Sequence, residues 1–147
     1  MGDASAVRLL LFRVGDLLCA AEVDAVVEIL PRLDTTRIPG AMPFVAGLIN
    51  VRGTLVTAVT GWRALGRPEP QGDAGGVTIL LRLEERRLVA LTADDVVDLV
   101  TVPRGELQDR AALPGVDPVL VQAVGRRDGR AYVVLDTVAL LAPVLSS

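Results

Sequence analysis

The chain has 147 residues, 51% of them hydrophobic and 22% charged, with 15 basic residues against 18 acidic ones for a net charge of -3. That length suits one domain or two small halves sharing a core, and the apolar fraction excludes a disordered chain. The absence of histidine removes Ser-His-Asp and Cys-His catalysis, most zinc sites and the usual neutral-pH proton shuttle.

Every basic residue is arginine, a bias that suits bidentate pairing and interfaces and that a GC-rich genome also produces. No Lys/Arg run is longer than two, so there is no footprint for nucleic acid. No apolar run reaches the ~20 residues of a membrane helix, which argues against direct membrane insertion. Met1 to Ala6 lacks a secretory pattern. A cytoplasmic protein without a cofactor or metal is the expectation. The single cysteine, Cys19, is expected to be a small buried hydrophobe.

Val- and Leu-rich stretches divided by turn signals predict short strands. Val7–Val14 and Leu17–Val23 flank Gly15-Asp16, a hairpin. Leu48 and Ile49 close the apolar stretch Phe44–Ile49, which runs into Asn50-Val51-Arg52-Gly53. Asn first and Gly last fit a type I turn with Val51 and Arg52 at its tip. Val77–Leu83 and Leu88–Thr92 flank a charged tip, Glu84–Arg87. Leu120–Arg126 and Arg130–Leu135 flank Asp128-Gly129, where both positions tolerate positive φ. Between them "GRPEPQGDAGG", residues 66–76, reads as a linker.

The two sides of that linker resemble each other, giving approximate halves 7–70 and 75–142 within one domain spanning 1–147. "LLFRVGDLLCAAEVDAVVEIL" aligns with "LLRLEERRLVALTADDVVDLV", and "GLINVRGTLVTAVTGWRAL" with "AVGRRDGRAYVVLDTVALL". The offset is 69 to 70 residues in the first pair and 76 in the second. Thr60 and Asp136 fall at equivalent places as helix N-caps. A strand repeat of this kind predicts a mainly β fold of two small barrels packed over a shared apolar seam.

No catalytic constellation emerges. Glu84-Glu85 sits on a hairpin tip, and Asp94-Asp95 at a strand end where a turn wants an acid. Neither pair has the converging ligands or aromatics that metal or glycosidase chemistry needs. Trp62 is either a buried helix anchor or a partner-facing hot spot. Tyr132 is expected half-buried with its hydroxyl at the rim. Arg52, carried out of the core on a tight turn, is either a solvated turn residue or a binding residue.

Val26-x-Glu28-Ile29, Arg37-Ile38-Pro39 and Gly47-Leu48-Ile49-Asn50-Val51-Arg52-Gly53 resemble the signature of the CheW-like domain family of bacterial chemotaxis, with Val51 for the usual Leu. "LTADDVVDL" and the closing hairpin match more loosely, and the resemblance covers roughly Val7 to Leu141. It implies two five-stranded SH3-like β-barrels around a common hydrophobic core, with short helices. It also implies a non-enzymatic adaptor coupling the cytoplasmic hairpin of a methyl-accepting chemoreceptor to the regulatory domain of a CheA-type histidine kinase. By the same resemblance Val26, Glu28, Gly47, Asn50, Val51 and Arg52 form or border the receptor-facing region.

The chain departs from the family at Thr57-Ala58-Val59-Thr60-Gly61-Trp62-Arg63, where a Pro and an Asp-Leu pair are usual. That departure motivates an alternative, an accessory protein that binds the receptor but has lost kinase coupling. A module for Pro-rich peptides would need an aromatic groove, and the chain has only four aromatic residues.

Overall fold

A computed structural model describes residues 5–70 and 76–145; the first four residues and 71–75 of the predicted linker lie outside them. The strands are β1 (Ala6–Val14), β2 (Leu17–Glu22), β3 (Val26–Pro31), β4 (Val45–Val51), β5 (Thr54–Val59), β6 (Val77–Arg82), β7 (Leu88–Ala93), β8 (Asp95–Pro103), β9 (Gln108–Asp109), β10 (Val121–Arg127) and β11 (Arg130–Leu135). Helix α1 (Gly61–Ala64) follows β5, and α2 (Thr137–Leu145) follows β11. The structure is mainly β, as expected. No helix among the described residues is long and apolar enough to cross a membrane.

The strands form two sheets. Sheet A runs β8-β1-β2-β11-β10-β9, and sheet B runs β3-β6-β7-β5-β4. The repeat holds at the level of topology: β1-β2 stands to β8, β11 and β10 as β6-β7 stands to β3, β5 and β4, with the two-residue β9 added at the edge of sheet A. Each sheet therefore takes its central hairpin from one half of the chain and its flanking strands from the other. Both sheets contain one parallel pairing, Cys19 beside Val133 in A and Ala58 beside Ala90 in B.

Burial follows from this layout. β1 and β2 are covered on both faces, so they read as continuous apolar runs rather than alternating ones. Leu10, Phe12, Val14 and Cys19 join Ile79, Leu81, Leu91, Val133 and Leu141 in a core shared by the two sheets. Leu9, Leu11, Leu18, Tyr132 and Val134 fill the inside of barrel A. Ile49, Val56, Ala58, Leu80 and Ala90 fill barrel B. Fully burying a large apolar side chain contributes ~1.5–3 kcal/mol, so these three clusters carry most of the stability. Cys19 is buried, as expected, and desolvation pushes its thiol pKa up to about 12.

Turn chemistry agrees with the sequence at two hairpins and differs at a third. Val14 pairs with Leu17 across Gly15-Asp16. Arg127 pairs with Arg130 across Asp128 and Gly129, whose φ values are 51° and 80°. At the Arg52 hairpin the type I expectation fails. Val51 is the last residue of β4 and pairs with Thr54, leaving Arg52 and Gly53 as the two-residue tip with φ values of 51° and 87°. Positive φ at both central positions is the type I′ geometry, whose twist matches that of the flanking strands. The Asn50 side chain still sets the bend, its Oδ1 accepting from the Gly53 N–H at 2.7 Å.

Two other expectations change. Asp136 caps α2, its Oδ1 accepting from the Ala139 N–H at 3.0 Å. Thr60 holds the N-cap position of α1 but makes no side-chain cap bond. The Gly61 N–H donates instead to Thr92 Oγ1 at 3.0 Å, because the backbone there runs against β7. Tyr132 is 2% exposed rather than half-buried. It pairs with Gly125, and its ring occupies the space a Cβ on that glycine would need.

Candidate protein-binding surface

β3 carries aliphatic residues at both parities. Val26, Glu28 and Leu30 are half-buried, while Val27 and Ile29 face outward at 38% and 43% exposure. A β-bulge contributes to this: the register with β6 shifts between Val26 and Glu28, leaving Val27 outside the pairing. On β5, Leu55 is the most exposed large aliphatic residue described, at 65%. It pairs with exposed Asn50 on β4, one step from the Arg52 turn.

β3 and β4 are the two edge strands of sheet B. The turn after β4 brings Arg52 Nη2 into a hydrogen-bonded ion pair with Glu28 Oε2 on β3. The pair thus closes barrel B across its open edges. Hydrogen bonding from Arg52 holds the Glu28 carboxyl below the usual range, and Glu28 in turn raises the Arg52 guanidinium. The Arg52 side chain is nevertheless 68% exposed, which leaves its planar fork accessible.

Of the residues expected from sequence, the structure brings Glu28 and Arg52 into contact and places Asn50 beneath the turn that presents Arg52. Val26 packs against the shared core and Val51 against the inside of barrel B, so both support the surface from within. Gly47 acts through the backbone. It sits at a bulge with φ of 148°, and a Cβ there would strike the Thr36 carbonyl. Thr36 and Leu48 exchange two backbone hydrogen bonds of 2.8 Å beside it, pinning the 32–38 segment to β4. Val27, Ile29 and Leu55 are exposed aliphatic residues that the sequence does not single out. The aliphatic residues at both parities of "VVEIL" give no signal by themselves, because the fully covered strands β1 and β2 share that pattern.

Barrel A repeats the arrangement. Val97 is bypassed by a register shift between β1 and β8, as Val27 is in barrel B. Val97 and Leu99 are exposed at 43% and 54%. Arg127 Nη2 lies 2.6 Å from Asp98 Oδ2, again joining the edge strand β8 to the far side of its sheet. The Asp98 carboxyl is held low by the Leu99 backbone N–H first and by Arg127 second.

The other charged groups serve the framework. Asp94 Oδ2 accepts from the Gly15 N–H at 2.8 Å, and Asp95 pairs with Arg13 through contacts of 2.8 and 3.1 Å. Among the described residues no group of three or more Cys, Asp or Glu is placed to hold a metal ion. A cleft of about 950 Å³ opens between residues 32–46 and the mouth of barrel B, with Ile49 and Thr78 in its lining and Trp62 on its wall. Trp62 is half-buried against the shared core with the Arg63 guanidinium 4.9 Å over its ring. Glu28, Asn50 and Arg52 lie outside this cleft.

The model of the CheW-like domain matches residues 8–144. A chemotaxis protein CheW of Rhizobium meliloti is 33% identical over 101 residues, 69% of this chain and 64% of that protein. The chain thus spans just under two thirds of that relative. A chemotaxis protein CheW of Bacillus subtilis is 25% identical over 137 residues, covering 91% of this chain and 86% of the relative. The crystal structure of scaffolding protein TtCheW from Thermoanaerobacter tengcongensis superposes with a TM-score of 0.81 at 16% identity, over 88% of each chain. With the motif around Arg52, the duplicated two-sheet topology and a family match over nearly the whole length, the chain belongs to the CheW-like domain family.

Proposed function

We propose that this chain is a non-enzymatic, cytoplasmic adaptor of a chemotaxis-like pathway. It docks the cytoplasmic hairpin of a chemoreceptor on the β3 and β4–β5 turn face of barrel B and couples it to the regulatory domain of a CheA-type histidine kinase. The observation that carries the reading is the Arg52–Glu28 pair set among exposed Val27, Ile29 and Leu55. Exposed aliphatic groups around a forked arginine donor offer the apolar patch and the arginine anchor that protein interfaces use. The names of the relatives, chemotaxis protein CheW and a scaffolding protein, support the same role.

A receptor-only protein, the alternative suggested by the departure at Thr57–Trp62, is not favoured by the relatives' names. β5 runs unbroken to Val59, and α1 starts at Gly61.

A pull-down of the chain by a purified receptor hairpin tests the proposal. Capture that is weakened by Arg52→Asp supports it. Equal capture of both forms removes the site, and no capture of either removes the receptor. Titration with the kinase regulatory domain tests the coupling arm separately.

A further inference from the structure

Docking on the Arg52 face leaves Trp62, the only tryptophan of the chain, without a role. Trp62 stands on the wall of the cleft between residues 32–46 and the mouth of barrel B, whose volume of about 950 Å³ is at the upper end for ligand pockets. Both ends of the 32–46 segment are tied down. Thr36 and Leu48 exchange backbone hydrogen bonds of 2.8 Å, and the Thr60 N–H donates to the Phe44 carbonyl at 2.7 Å. Arg63 adds a side-chain tie: its Nη1 donates to the Pro43 carbonyl at 3.0 Å while the guanidinium lies over Trp62. The cleft is therefore formed before any guest arrives, which lowers the ordering cost of binding.

The lining is apolar with hydroxyl donors set into it. Ile49 and Ala58 are 2% and 1% exposed. Thr78, 3% exposed, is the one buried polar residue among the described residues, and its hydroxyl has no hydrogen-bond partner among them. Thr92 lies directly across from it in the β6–β7 pairing, so the two side chains share a face. Thr92 Oγ1 accepts from the Gly61 N–H and keeps its own hydrogen to donate. An acceptor brought in by a guest would satisfy hydroxyls that the fold leaves unused.

Charges of both signs line the same cleft. Arg37 has no partner among the described residues, and Arg63 keeps its Nε and Nη2 donors unused. Asp34 and Glu69 are unpaired there as well. Such a mixture suits neither a polyphosphate nor an anionic lipid surface, which call for clustered cations. It suits a polypeptide. Main-chain carbonyls accept from the threonines, an aliphatic side chain covers Ile49 and Ala58, and a carboxylate takes the arginine donors. Asp34 and Glu69 then limit how many acids the guest carries. We propose that this cleft is a second protein-binding site, separate from the Arg52 face, which takes an extended segment of a partner in which an aliphatic residue adjoins an acidic one.

Trp62 emission reports on the cleft alone, because no other tryptophan is present. The full chain is titrated with three pools of acetylated, amidated hexapeptides in which Val, Leu or Ile is flanked by Glu, by Gln or by Arg, with calorimetry on the same samples. The Glu pool is expected to shift the emission saturably and to bind at least about tenfold more tightly than the Gln pool. Arg37→Gln should weaken that binding at least about tenfold. Thr78→Val should weaken it about three- to tenfold while leaving the melting temperature unchanged or raised, since the hydroxyl it removes is unpaired in the fold. Equal binding of the three pools, preference for the Arg pool, or neither heat nor emission change with any pool would overturn the proposal. Full affinity in both variants would do the same, as would a response to phosphatidylglycerol vesicles in place of the peptides.

Discussion

Arg52, on the turn after β4, donates to Glu28 on β3 and so ties the two edge strands of sheet B together. In sheet A, Arg127 at the end of β10 pairs with Asp98 on the edge strand β8, although β9 lies beyond β10 as the other edge. The acids Glu28 and Asp98 hold equivalent places on the bulged edge strands, whereas Arg127 ends β10 one residue before Asp128, the turn residue equivalent to Arg52. Exposed pairs of this kind add little stability. Their geometric effect is to close a sheet edge that would otherwise invite pairing with other chains, while holding an arginine in a fixed place.

Removing the arginine therefore has different consequences for stability and for binding. Arg52→Ala is expected to move the melting temperature by less than about 3 °C and to weaken receptor-hairpin binding at least about tenfold. Differential scanning calorimetry and isothermal titration on the same preparation check both.

The Arg52 turn also predicts a substitution that stabilises while it harms. Arg is a poor residue at φ of 51°, and Asn-Gly is the preferred type I′ pair. Arg52→Asn should raise the melting temperature by about 1–3 °C and lose receptor affinity as Arg52→Ala does. A fall in melting temperature would contradict the turn geometry.

Gly47 and Gly125 are predicted to be stability positions. An added Cβ meets the Thr36 carbonyl at Gly47 and the Tyr132 ring at Gly125. Gly47→Ala and Gly125→Ala should each cost about 2–4 kcal/mol in denaturant unfolding. Binding by the fraction still folded should be retained in Gly125→Ala, which lies in the other barrel.

Acid stability follows from three carboxyls. Hydrogen bonds from Arg67, Arg52 and the Leu99 N–H hold Asp16, Glu28 and Asp98 respectively below their ordinary values. A carboxyl lowered in the folded state contributes stability that is complete above its unfolded pKa and is lost as pH falls through the folded one. The melting temperature should be flat near neutrality and fall as pH drops below about 5. The triple variant Asp16→Asn, Glu28→Gln, Asp98→Asn should show a shallower fall.

Cys19 offers an independent check on the core. Buried and raised to about 12, its thiol should be silent to a disulfide reagent at pH 8 until the protein unfolds. Prompt reaction of the native chain would place β2 elsewhere.

Much of this was legible in the sequence because local chemistry decides it. Gly15-Asp16 and Asp128-Gly129 announce their hairpins, and the offset between Val26-Val27-Glu28 and Val96-Val97-Asp98 announces the repeat. The exchange of hairpins was not legible. β1, β2, β6 and β7 are largely apolar at both parities, so nothing local selects which strand they lie beside. The Arg52 turn was misjudged for a related reason. Asn and Gly fit a type I turn over residues 50–53, and only the pairing of Val51 with Thr54 moves the tip one residue on. Tyr132 was misplaced because its burial depends on Gly125 across the strand pair.

The central claim is that a receptor hairpin docks on the barrel B face. Amide chemical-shift mapping of the ¹⁵N-labelled chain, titrated with an unlabelled receptor hairpin, tests it most directly. The account predicts that the perturbed amides cluster at Val26–Pro31 and Asn50–Leu55 and that Arg52→Asp abolishes the shifts. Perturbations confined to the Trp62 cleft or to β8, or none at saturating hairpin, would contradict it.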